Sequence, residues 1–391
     1  MKTLLVPALG LAVLLVYFFC ESLVHRKALR RVPLRIAVTG TRGKSTVTRL
    51  IAGALREAGY RVLAKTTGSK PVVIFPDGEE MELRRSGKPT ILEQKRVVRM
   101  ARAARAEALV VEMMSIRPET MAAESRMILR PRLLAVTNVR LDHLDDMGRT
   151  KDEIAASLSA AIPSEGTVVV PEEEWYPAFQ DAADARRSRV VKIPPLSSGR
   201  AGLEFPENIR LALALTDLVG IPWETALRGM TKARADFGGL KVWKARPEPL
   251  KAEWYLVSAF AANEPESTAK VLARVREICP RMPGRLIGLI NLREDRGDRT
   301  RQWLDALRAG FFEAFEELIF IGDHARALAR RQPAAPSAQL KISAWPSRRP
   351  DRIMDRIFAG ENGGRAVIGM GNMGGLGGKL VDYWARIGER L

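Results

Sequence analysis

The segment RIAVTGTRGKSTVTRLIAGALREAGYRVLAKT (residues 35–66) constrains the fold more than any other part of the chain. A short apolar run (35–40) leads into a glycine turn, a stretch with apolar residues at helical spacing, and a second apolar run (61–66). Gly59 lies where the helical stretch ends, a common place for glycine. The pattern predicts a strand–helix–strand unit, which is typical of a parallel α/β sheet wrapped by helices.

The same alternation continues along the chain and predicts two groups of strands. The first group adds residues 108–114, 133–138 and 167–172, and the second consists of 254–260, 285–291, 317–323 and 365–371. A stretch containing Pro and Gly (234–250) separates the two groups and has the composition of a linker.

The N-terminal part is an uninterrupted run of uncharged residues (3–20), followed at once by HRKALRR. The run is just long enough to cross a bilayer as a helix. Only Lys2 precedes it and it ends in Phe-Phe-Cys, unlike a cleavable secretory signal. We therefore expect a single-pass anchor in the plasma (inner) membrane rather than a buried core helix. The Lys and Arg residues after the run predict that residues 25–391 lie in the cytoplasm.

The charge balance is strongly basic, with 63 Lys and Arg against 45 Asp and Glu, a net charge of +18. Such a chain attracts polyanions: nucleic acid, an anionic membrane, nucleotides or an acidic polymer. The sequence has no recognisable nucleic-acid-binding motif and few aromatic residues to stack on bases, so we expect no nucleic-acid partner. The two cysteines are far apart, which argues against a disulfide framework or a zinc site.

The glycine turn contains Gly43-Lys44-Ser45 between a strand and a helix, the context of a phosphate-binding loop. In such a loop Lys44 would neutralise the β- and γ-phosphates and Ser45 would offer a hydroxyl to Mg²⁺. The usual spelling G-x-x-x-x-G-K-[ST] requires a glycine where this chain has Val38, and the nearest upstream glycine is Gly40. The loop is thus predicted to bind a nucleotide, with an irregular first half.

Polar side chains lie at the C-terminal ends of two further strand candidates. Glu112 lies in the apolar run of 108–114, Asn138 ends the run of 133–138, and Asp142 and His143 follow it. The carboxyl ends of parallel strands meet at one edge of a sheet, where ligands collect. A Glu and a His from adjacent strands beside a phosphate loop would complete a metal site, and the aspartates near His143 favour a ligand over an ordinary core histidine.

These elements together resemble a known family. The order G-T-x-G-K-[ST], a strand ending in Glu, and N-x-x-x-D-H is similar to the ATP-binding pattern of the Mur-ligase superfamily. With EQKRVV, LDHLDDMG, SAFAANEPEST and REDRGDRT, the chain resembles the ligase subunit of poly-γ-glutamate synthase (PgsB/CapB type) over nearly its whole length. The resemblance implies an α/β fold: a Mur-ligase-like P-loop central domain with a parallel sheet and a smaller Rossmann-like C-terminal domain, preceded by one transmembrane helix.

The resemblance also implies a domain division. We expect a transmembrane anchor at 1–24, a basic juxtamembrane segment at 25–34, the ATP-binding domain at 35–240, a linker at 241–252 and the C-terminal ligase domain at 253–391.

The implied activity is that of an ATP-dependent amide ligase. Such enzymes convert a carboxylate into an acyl phosphate with ATP, and an amine then displaces phosphate, so that ADP is released. The substrates would be glutamate and a γ-glutamyl polymer, with ATP and Mg²⁺ as cofactors. The implied partners are small membrane subunits of a synthase complex and further copies of this chain.

By the same resemblance, site roles fall on defined residues. Lys44, Glu112 and His143 would be catalytic, and Ser45, Glu112 and His143 would bind the metal. Nucleotide contacts would come from Gly40, Thr41, Arg42, Gly43, Lys44, Ser45, Thr46 and Asn138, and from the C-terminal residues Asp295, Arg296, Asp298 and Arg299. Lys65, Thr66, Thr67, Gly68 and Asn263 would contact the substrate.

The chain departs from the Mur pattern at two positions. Leu158 stands where Mur ligases commonly carry a CO₂-modified lysine, which puts a second metal in doubt, and Ala262 replaces the histidine of an A-H-N-P motif. Both departures favour the polyglutamate subfamily. A literal G-x-G-x-x-G at Gly369, Gly371 and Gly374 leaves too few residues for a dinucleotide-binding unit, and we interpret it as a tight turn and loop.

Three alternatives remain at the level of sequence. The chain could be a membrane-anchored nucleotide-binding regulator or assembly ATPase that makes no amide bond. It could be a related Mur-type ligase for another amino acid. A nucleic-acid-binding protein ranks last.

Overall fold

The computed structural model describes residues 2–68, 71–85, 87–193, 205–234, 239–247, 252–295, 297–325, 327–328, 340–359 and 364–391. The chain forms two compact units. The first comprises Met1–Gly199 with Pro206–Asp236, and the second comprises Arg200–Phe205 with Phe237–Leu391.

The N-terminal helix α1 is continuous over Lys2–Arg30, so the basic segment after the apolar run prolongs the same helix. Its apolar side chains from residue 9 onward lie in the open, with Leu9 66% and Phe19 65% exposed. The part Leu9–Arg30, with a mean hydropathy of 1.5, is long and apolar enough to span a membrane by length and composition.

The last turns of α1 pack against the first unit. Ala28 and Leu29 are buried in its core. His25 Nε2 lies 2.8 Å from the carbonyl oxygen of Ile128, and Lys95 Nζ lies 2.8 Å from Glu21 Oε2. The helix therefore divides into an exposed apolar part and a docked basic part.

The first unit is built on an eight-stranded sheet of order β4-β3-β2-β5-β1-β6-β7-β8. Its strands are β1 Leu34–Thr39, β2 Val62–Thr66, β3 Val72–Ile74, β4 Glu80–Glu82, β5 Ala108–Glu112, β6 Leu133–Val136, β7 Thr167–Val170 and β8 Arg189–Lys192. The strands from β2 to β8 in this order are parallel, and β3 and β4 form an antiparallel edge. The predicted parallel sheet is confirmed.

Helices cover both faces of this sheet because alternate strand residues point to opposite sides. The helices are α2 Lys44–Glu57, α3 Glu93–Ala103, α4 Pro118–Ala123 with a π-helical continuation Glu124–Leu129, α5 Leu144–Met147, α6 Lys151–Ser159, α7 Tyr176–Asp184 after a short 3₁₀ turn Glu173–Trp175, α8 Pro206–Asp217 and α9 Trp223–Lys232. Ala37 of β1 packs into the cluster with α3, α6 and α7, whereas Val38 packs into the cluster with α2, α8 and α9.

The strand order corrects one expectation. β5 and β6 are not neighbours, since each pairs with β1 from opposite sides. Glu112 and His143 therefore come from strands that flank the loop strand, rather than from adjacent strands. After β1 the chain continues to β2 on one side of the sheet, whereas after β6 it continues to β7 on the other side. These opposite directions leave a crevice between β1 and β6 at their carboxyl ends. A ligand usually binds at such a place in open α/β sheets.

The second unit contains a seven-stranded sheet of order β13-β12-β11-β14-β10-β9-β15. Its strands are β9 Lys241–Ala245, β10 Trp254–Ser258, β11 Leu286–Leu292, β12 Phe315–Gly322, β13 Lys341–Ala344, β14 Ala366–Gly371 and β15 Gly388–Arg390. Its described helices are α10 Pro265–Ile278, α11 Gly297–Arg308, α12 Pro350–Ala359 and α13 Leu376–Ile387. The strands β13 to β10 are parallel, and β9 and β15 are antiparallel.

Two expectations for the second unit need correction. The predicted linker (241–252) contains β9, whose residues Val242 and Trp243 are buried on opposite faces of the sheet. The glycine motif after β14 is followed by α13 and β15, although we expected no helix and strand to fit. Since β15 pairs antiparallel with β9, the parallel partner of a dinucleotide-binding unit is not formed there.

The contact between α2 and α9 depends on two glycines. A Cβ at Gly229 would lie 2.4 Å from the carbonyl oxygen of Gly53, and one at Gly53 would lie 2.5 Å from that of Gly229. We predict that Gly229→Ala lowers the free energy of unfolding by about 1–3 kcal/mol through overpacking, despite the better helix propensity of Ala. Urea unfolding of the full chain in neutral detergent measures this change.

The matched control is Gly284→Ala, because a Cβ at Gly284 meets no described atom within 4 Å. An equal, small effect of both substitutions would contradict the close approach of the two helices.

Candidate active site

The loop between β1 and α2 has the backbone geometry of a phosphate-binding loop. Gly40 has φ 119° and Gly43 has φ 78°, both in the region that favours glycine. A Cβ at Gly40 would lie 2.1 Å from Thr137 Oγ1, so a side chain is excluded there. Val38 is still inside β1 and fully buried, which explains why no glycine is needed at that position.

Asn138 ties this loop to the end of β6. Its Oδ1 accepts hydrogen bonds from Thr41 Oγ1 at 2.8 Å and from the backbone N of Arg42 at 3.0 Å. Its Nδ2 donates to the carbonyl oxygen of Arg42 at 3.1 Å. The backbone N of Arg140 in turn donates to Thr41 Oγ1 at 2.9 Å. The predicted nucleotide residue Asn138 thus holds the loop in shape.

Glu112, the last residue of β5, contacts the start of α2. It reaches the loop from the side opposite Asn138, because β5 and β6 flank β1. Its Oε2 accepts from Ser45 Oγ at 2.7 Å and from the backbone N of Thr67 at 2.6 Å. Glu112 ends β5, Thr67 follows β2, and Ser45 lies in the first turn of α2 after the β1 loop. A hydroxyl and a carboxylate are thereby brought together in a buried place, which is a ligand pair that Mg²⁺ accepts.

Lys44 is half-buried beneath the loop and donates to the carbonyl oxygens of Gly40 at 2.8 Å and Thr41 at 3.2 Å. Burial lowers the pKa of its ammonium group, and the charges of Glu112 and Asp142 oppose that shift. The predicted catalytic Lys44 therefore interacts electrostatically with the carboxylates of Glu112 and Asp142. Thr46 follows in the first turn of α2.

The D-H element lies beside the same loop. Asp142 Oδ2 is 3.4 Å from Arg42 Nη2 and 3.7 Å from His143 Nε2, and Asp142 Oδ1 accepts from the backbone N of His143 at 3.0 Å. His143 has a left-handed backbone (φ 50°, ψ 47°) at the start of α5. Asp142 links His143 to the loop, and the role of His143 as a metal ligand stays a prediction.

Four site-forming residues escaped the sequence analysis. Arg140 is buried and pairs with Glu172 at 2.7 Å, and Glu172 also accepts from the backbone N of Val139. Asn208 of α8 faces the loop, since a Cβ at position 43 would come 2.8 Å from its Oδ1. Gln94 donates to the carbonyl oxygen of Glu112 at 3.2 Å. Only Gln94 had a signal, because it belongs to the EQKRVV motif.

The segment predicted to contact substrate, residues 65–68, begins with two buried side chains. Lys65 is fully buried and its Nζ lies 2.8 Å from Glu93 Oε1, while Arg85 Nε donates to Glu93 Oε2 at 2.7 Å. Thr66 is also fully buried. Both side chains are enclosed in this conformation, and their contact with substrate stays a prediction.

The last two residues of that segment lie at the carboxyl end of β2, close to Glu112. Thr67 contributes its backbone N to Glu112, and Gly68 is exposed at the end of the strand. Behind them Glu124 is fully buried and accepts from Gln94 Nε2 at 2.6 Å and from the backbone N of Met114 at 3.0 Å. These contacts form a polar layer that supports Glu112.

The residues fit a magnesium site of the kind completed by substrate phosphates. Within the described ranges no group of three or more His, Cys, Asp or Glu is close enough to hold a metal. Mg²⁺ is commonly bound by one or two carboxylates together with phosphate oxygens and water, rather than by an all-protein cage. Ser45 and Glu112 provide that partial set. Leu158, at the position of the expected lysine, is buried in the core.

The C-terminal candidates divide into exposed and buried groups. Asp295 is exposed and accepts from Arg293 at 2.8 Å. Arg299 is buried and donates to Asn372 Oδ1 at 3.0 Å, which supports the glycine loop after β14. Arg296 and the side chain of Asp298 lie outside the described residues. Asn263 precedes α10, where Glu264 caps the helix by accepting from the backbone N of Ser267.

Comparisons with known proteins show the family of this chain. The Mur ligase middle domain matches residues 38–201, and the poly-γ-glutamate synthase CapB C-terminal domain matches residues 246–387. The chain is 34% identical to the capsule biosynthesis protein CapB of Bacillus anthracis, over 94% of this chain and 80% of that protein. It is 33% identical to the PGA synthase CapB of Bacillus subtilis (strain 168), over 95% of each. The chain belongs to the CapB family of poly-γ-glutamate synthases.

Solved structures share the CapB-family fold at low identity. The bifunctional folylpolyglutamate synthase/dihydrofolate synthase of Yersinia pestis, complexed with AMPPNP and Mn, superposes with a TM-score of 0.70 at 14% identity, over 93% of this chain and 92% of that chain. MurF of Acinetobacter baumannii gives 0.63 at 14% identity, over 93% and 80%. Family membership and this ligase fold identify the chain as an ATP-dependent ligase.

The role of Asn138 can be tested directly. Asn138→Ala removes all three side-chain hydrogen bonds that shape the loop, so the KM for ATP is expected to rise roughly 10- to 100-fold. Gln180→Ala, which removes an amide from an exposed position of the same unit, is the control and should leave the KM unchanged. ATP titration of steady-state turnover measures both, and an unchanged KM in the Ala variant would contradict this role.

The Lys65–Glu93 pair predicts a pH dependence of stability. Burial opposes the charge on both partners. Hydrogen bonds from Arg85 and Lys65 overcome this effect for Glu93 and hold its pKa at about 2, whereas the buried ammonium of Lys65 keeps a lowered pKa. A depressed carboxyl pKa stabilises the folded state above the ordinary value of 4.5 and loses that contribution as the pH falls through about 2.

We therefore expect Glu93→Gln to flatten the loss of stability of the wild type between pH 4.5 and 2. Urea midpoints at a series of pH values measure it. Glu82→Gln, at an exposed position of β4, is the control and should leave the wild-type pH profile in place. A Glu93→Gln profile parallel to the wild type would refute the pairing.

Proposed function

We propose that this chain joins glutamate units into a γ-linked polymer by activating a γ-carboxylate with ATP. Two relatives that match almost the whole chain are named capsule biosynthesis protein CapB and PGA synthase CapB. Related folds have been solved with an ATP analogue and Mn or with ADP. The observation that carries the proposal is the buried contact between Ser45 and Glu112 at the start of α2, beside Lys44.

The reaction brings a triphosphate and a carboxylate together, so the site must offset repulsion between anions. Lys44, Arg42 and the N-terminus of α2 supply positive charge at the loop. Ser45 and Glu112, with His143 as a third candidate, would hold Mg²⁺, whose charge offsets that of the phosphate oxygens. Asn138 keeps the loop closed around the phosphates.

In the first step a γ-carboxylate oxygen attacks the γ-phosphorus of ATP, the bond from that phosphorus to ADP breaks, and an acyl phosphate forms. In the second step a glutamate amine attacks the acyl carbon, the C–O bond to phosphate breaks, and the amine proton leaves to solvent. Asp295, Arg296, Asp298 and Arg299 remain proposed nucleotide contacts, and Gly68 and Asn263 remain proposed substrate contacts. Lys65, Thr66 and Thr67 remain proposed substrate contacts as well.

We propose further that α1 anchors the chain in the plasma membrane with the remainder in the cytoplasm. The exposed apolar side chains of Leu9–Val24 support this, because water would solvate them poorly. Small membrane subunits and further copies of this chain stay proposed partners, and the predicted domain boundaries stay proposals as well.

The test uses the full chain in nanodiscs with Mg-ATP, glutamate and short γ-glutamyl acceptors. We expect ADP and phosphate in equal amounts, longer γ-linked chains by mass spectrometry, and a hydroxamate when hydroxylamine traps the acyl phosphate. AMP as product would exclude this mechanism. Turnover with another amino acid in place of glutamate would favour a related Mur-type ligase, and turnover indifferent to any acceptor would favour an assembly ATPase.

Lys44→Ala is expected to reduce turnover roughly 10²- to 10³-fold, because a charge that stabilises the transferred phosphoryl group is lost. Lys88→Ala, at an exposed lysine of the same unit, is the control for the loss of one positive charge and should leave turnover unchanged. Wild-type turnover in the Lys44 variant would show that the loop does not serve phosphoryl transfer.

A further inference from the structure

A second basic site lies at the base of the N-terminal helix. A cavity of about 370 Å³ is lined there by Arg26, Leu29, Arg30, Pro33, Arg35, Arg130 and Arg132. The five arginines come from three segments: the last turns of α1, the start of β1, and the loop between the π-helix and β6. The described lining contains no acidic side chain. The cavity is at the opposite end of β1 from the nucleotide loop.

Arg35 makes this cavity a fixed feature of the fold. Its Nη1 donates to the carbonyl oxygen of Val32 at 2.7 Å and its Nε to that of Arg130 at 2.9 Å. The backbone N of Arg132 donates back to the carbonyl oxygen of Arg35 at 2.8 Å. Arg130 adopts a left-handed backbone with φ 46°, which a non-glycine residue keeps only where its surroundings hold it.

The positive charge of the cavity is not balanced within the described parts of the chain. The side chains of Arg26, Arg30, Arg130 and Arg132 make no ion pair or hydrogen bond with described residues, unlike Arg117, which pairs with an aspartate at 2.8 Å. Burial lowers the pKa of Arg35, and the charges of Arg132 and Arg130 lower it further. Like charges gathered around one cavity repel each other, and a bound anion would remove that cost.

The position of the cavity along α1, just after the exposed apolar part, indicates that the anion belongs to the membrane surface. The exposed apolar surface of α1 extends to Val24, and Arg26 and Arg30 follow on one face of the helix. At 1.5 Å per residue, this step covers roughly 9 Å, comparable with the head-group layer on one side of a bilayer. The estimate rests on the proposed insertion of α1 in the membrane.

We propose that this cavity binds the phosphate of an anionic phospholipid head group. Guanidinium groups match phosphate oxygens in paired hydrogen bonds, and basic pockets beside membrane helices are suited to such lipids. Free phosphate has the same head-group chemistry, but a lipid also covers the exposed apolar side chains of α1 with its acyl chains. A bound lipid would fix the first unit against the bilayer and leave the nucleotide loop at the far end of β1.

The test uses the full chain in neutral detergent micelles doped with phosphatidylglycerol or phosphatidylcholine, with retained lipid counted by native mass spectrometry. We expect selective retention of phosphatidylglycerol. Arg130→Gln/Arg132→Gln should weaken it roughly thirtyfold, from the loss of two charges near the phosphate. These two residues are far from α1 in the sequence, so a simple basic tail after the helix predicts no change.

Arg276→Gln/Arg281→Gln removes the same charge from exposed positions of the second unit and should leave retention unchanged. Equal retention of both lipids, an unaffected Arg130/Arg132 variant, or complete displacement of phosphatidylglycerol by inorganic phosphate or by poly-γ-glutamate would each overturn the proposal. If that variant melts below the wild type, the single change Arg132→Gln, at an exposed position, replaces it and should weaken retention roughly fivefold. Lipid retention needs no turnover, so it is independent of the ligase assay.

Discussion

The buried carboxylate of Glu112 organises the site. Its Oε2 accepts from Ser45 Oγ and from the backbone N of Thr67, and its backbone oxygen accepts from Gln94. One carboxylate thereby joins the ends of β1, β2 and β5 and sets the start of α2. A buried acceptor of this kind is costly when its donors are lost, so the loop, the strand ends and the supporting layer depend on one another.

Behind Glu112 lies a layer of buried charged and polar groups. Lys65, Glu93 and Arg85 form one group, and Glu124 with Gln94 forms the next. Burying such pairs costs solvation, and hydrophobic residues would often be as stable. Gln94 connects this layer to Glu112, since its Nε2 donates both to Glu124 and to the backbone oxygen of Glu112. The opposite end of the same sheet carries unbalanced arginines, so the first unit has one end suited to nucleotide and one suited to an anionic surface.

Much of the fold followed from local pattern. Buried parallel strands are nearly continuous apolar runs, and all nine predicted strands were found within a few residues. Most of the strands that were missed, such as β3, β8 and β15, are short or lie at sheet edges, where the apolar signal is weak. β9 was missed although it lies inside its sheet, because its stretch has the composition of a linker. The burial of Lys65 was missed because a lysine near a strand end has no local mark of burial. The prediction that β5 and β6 are adjacent was wrong, because the spacing of strands along the sequence does not encode their order in the sheet.

The sequence by itself determined the strand–loop–helix unit, the glycines that the loop requires, the apolar length of α1 and the family. Only the tertiary structure decided the partners of each polar group: Asn138 for the loop, Glu112 for Ser45, Glu93 for Lys65, and Arg130 with Arg132 for the end of α1. The physical reason is that these contacts join segments far apart in the chain. Their geometry depends on strand order and on the desolvation of charge, and no local pattern contains either.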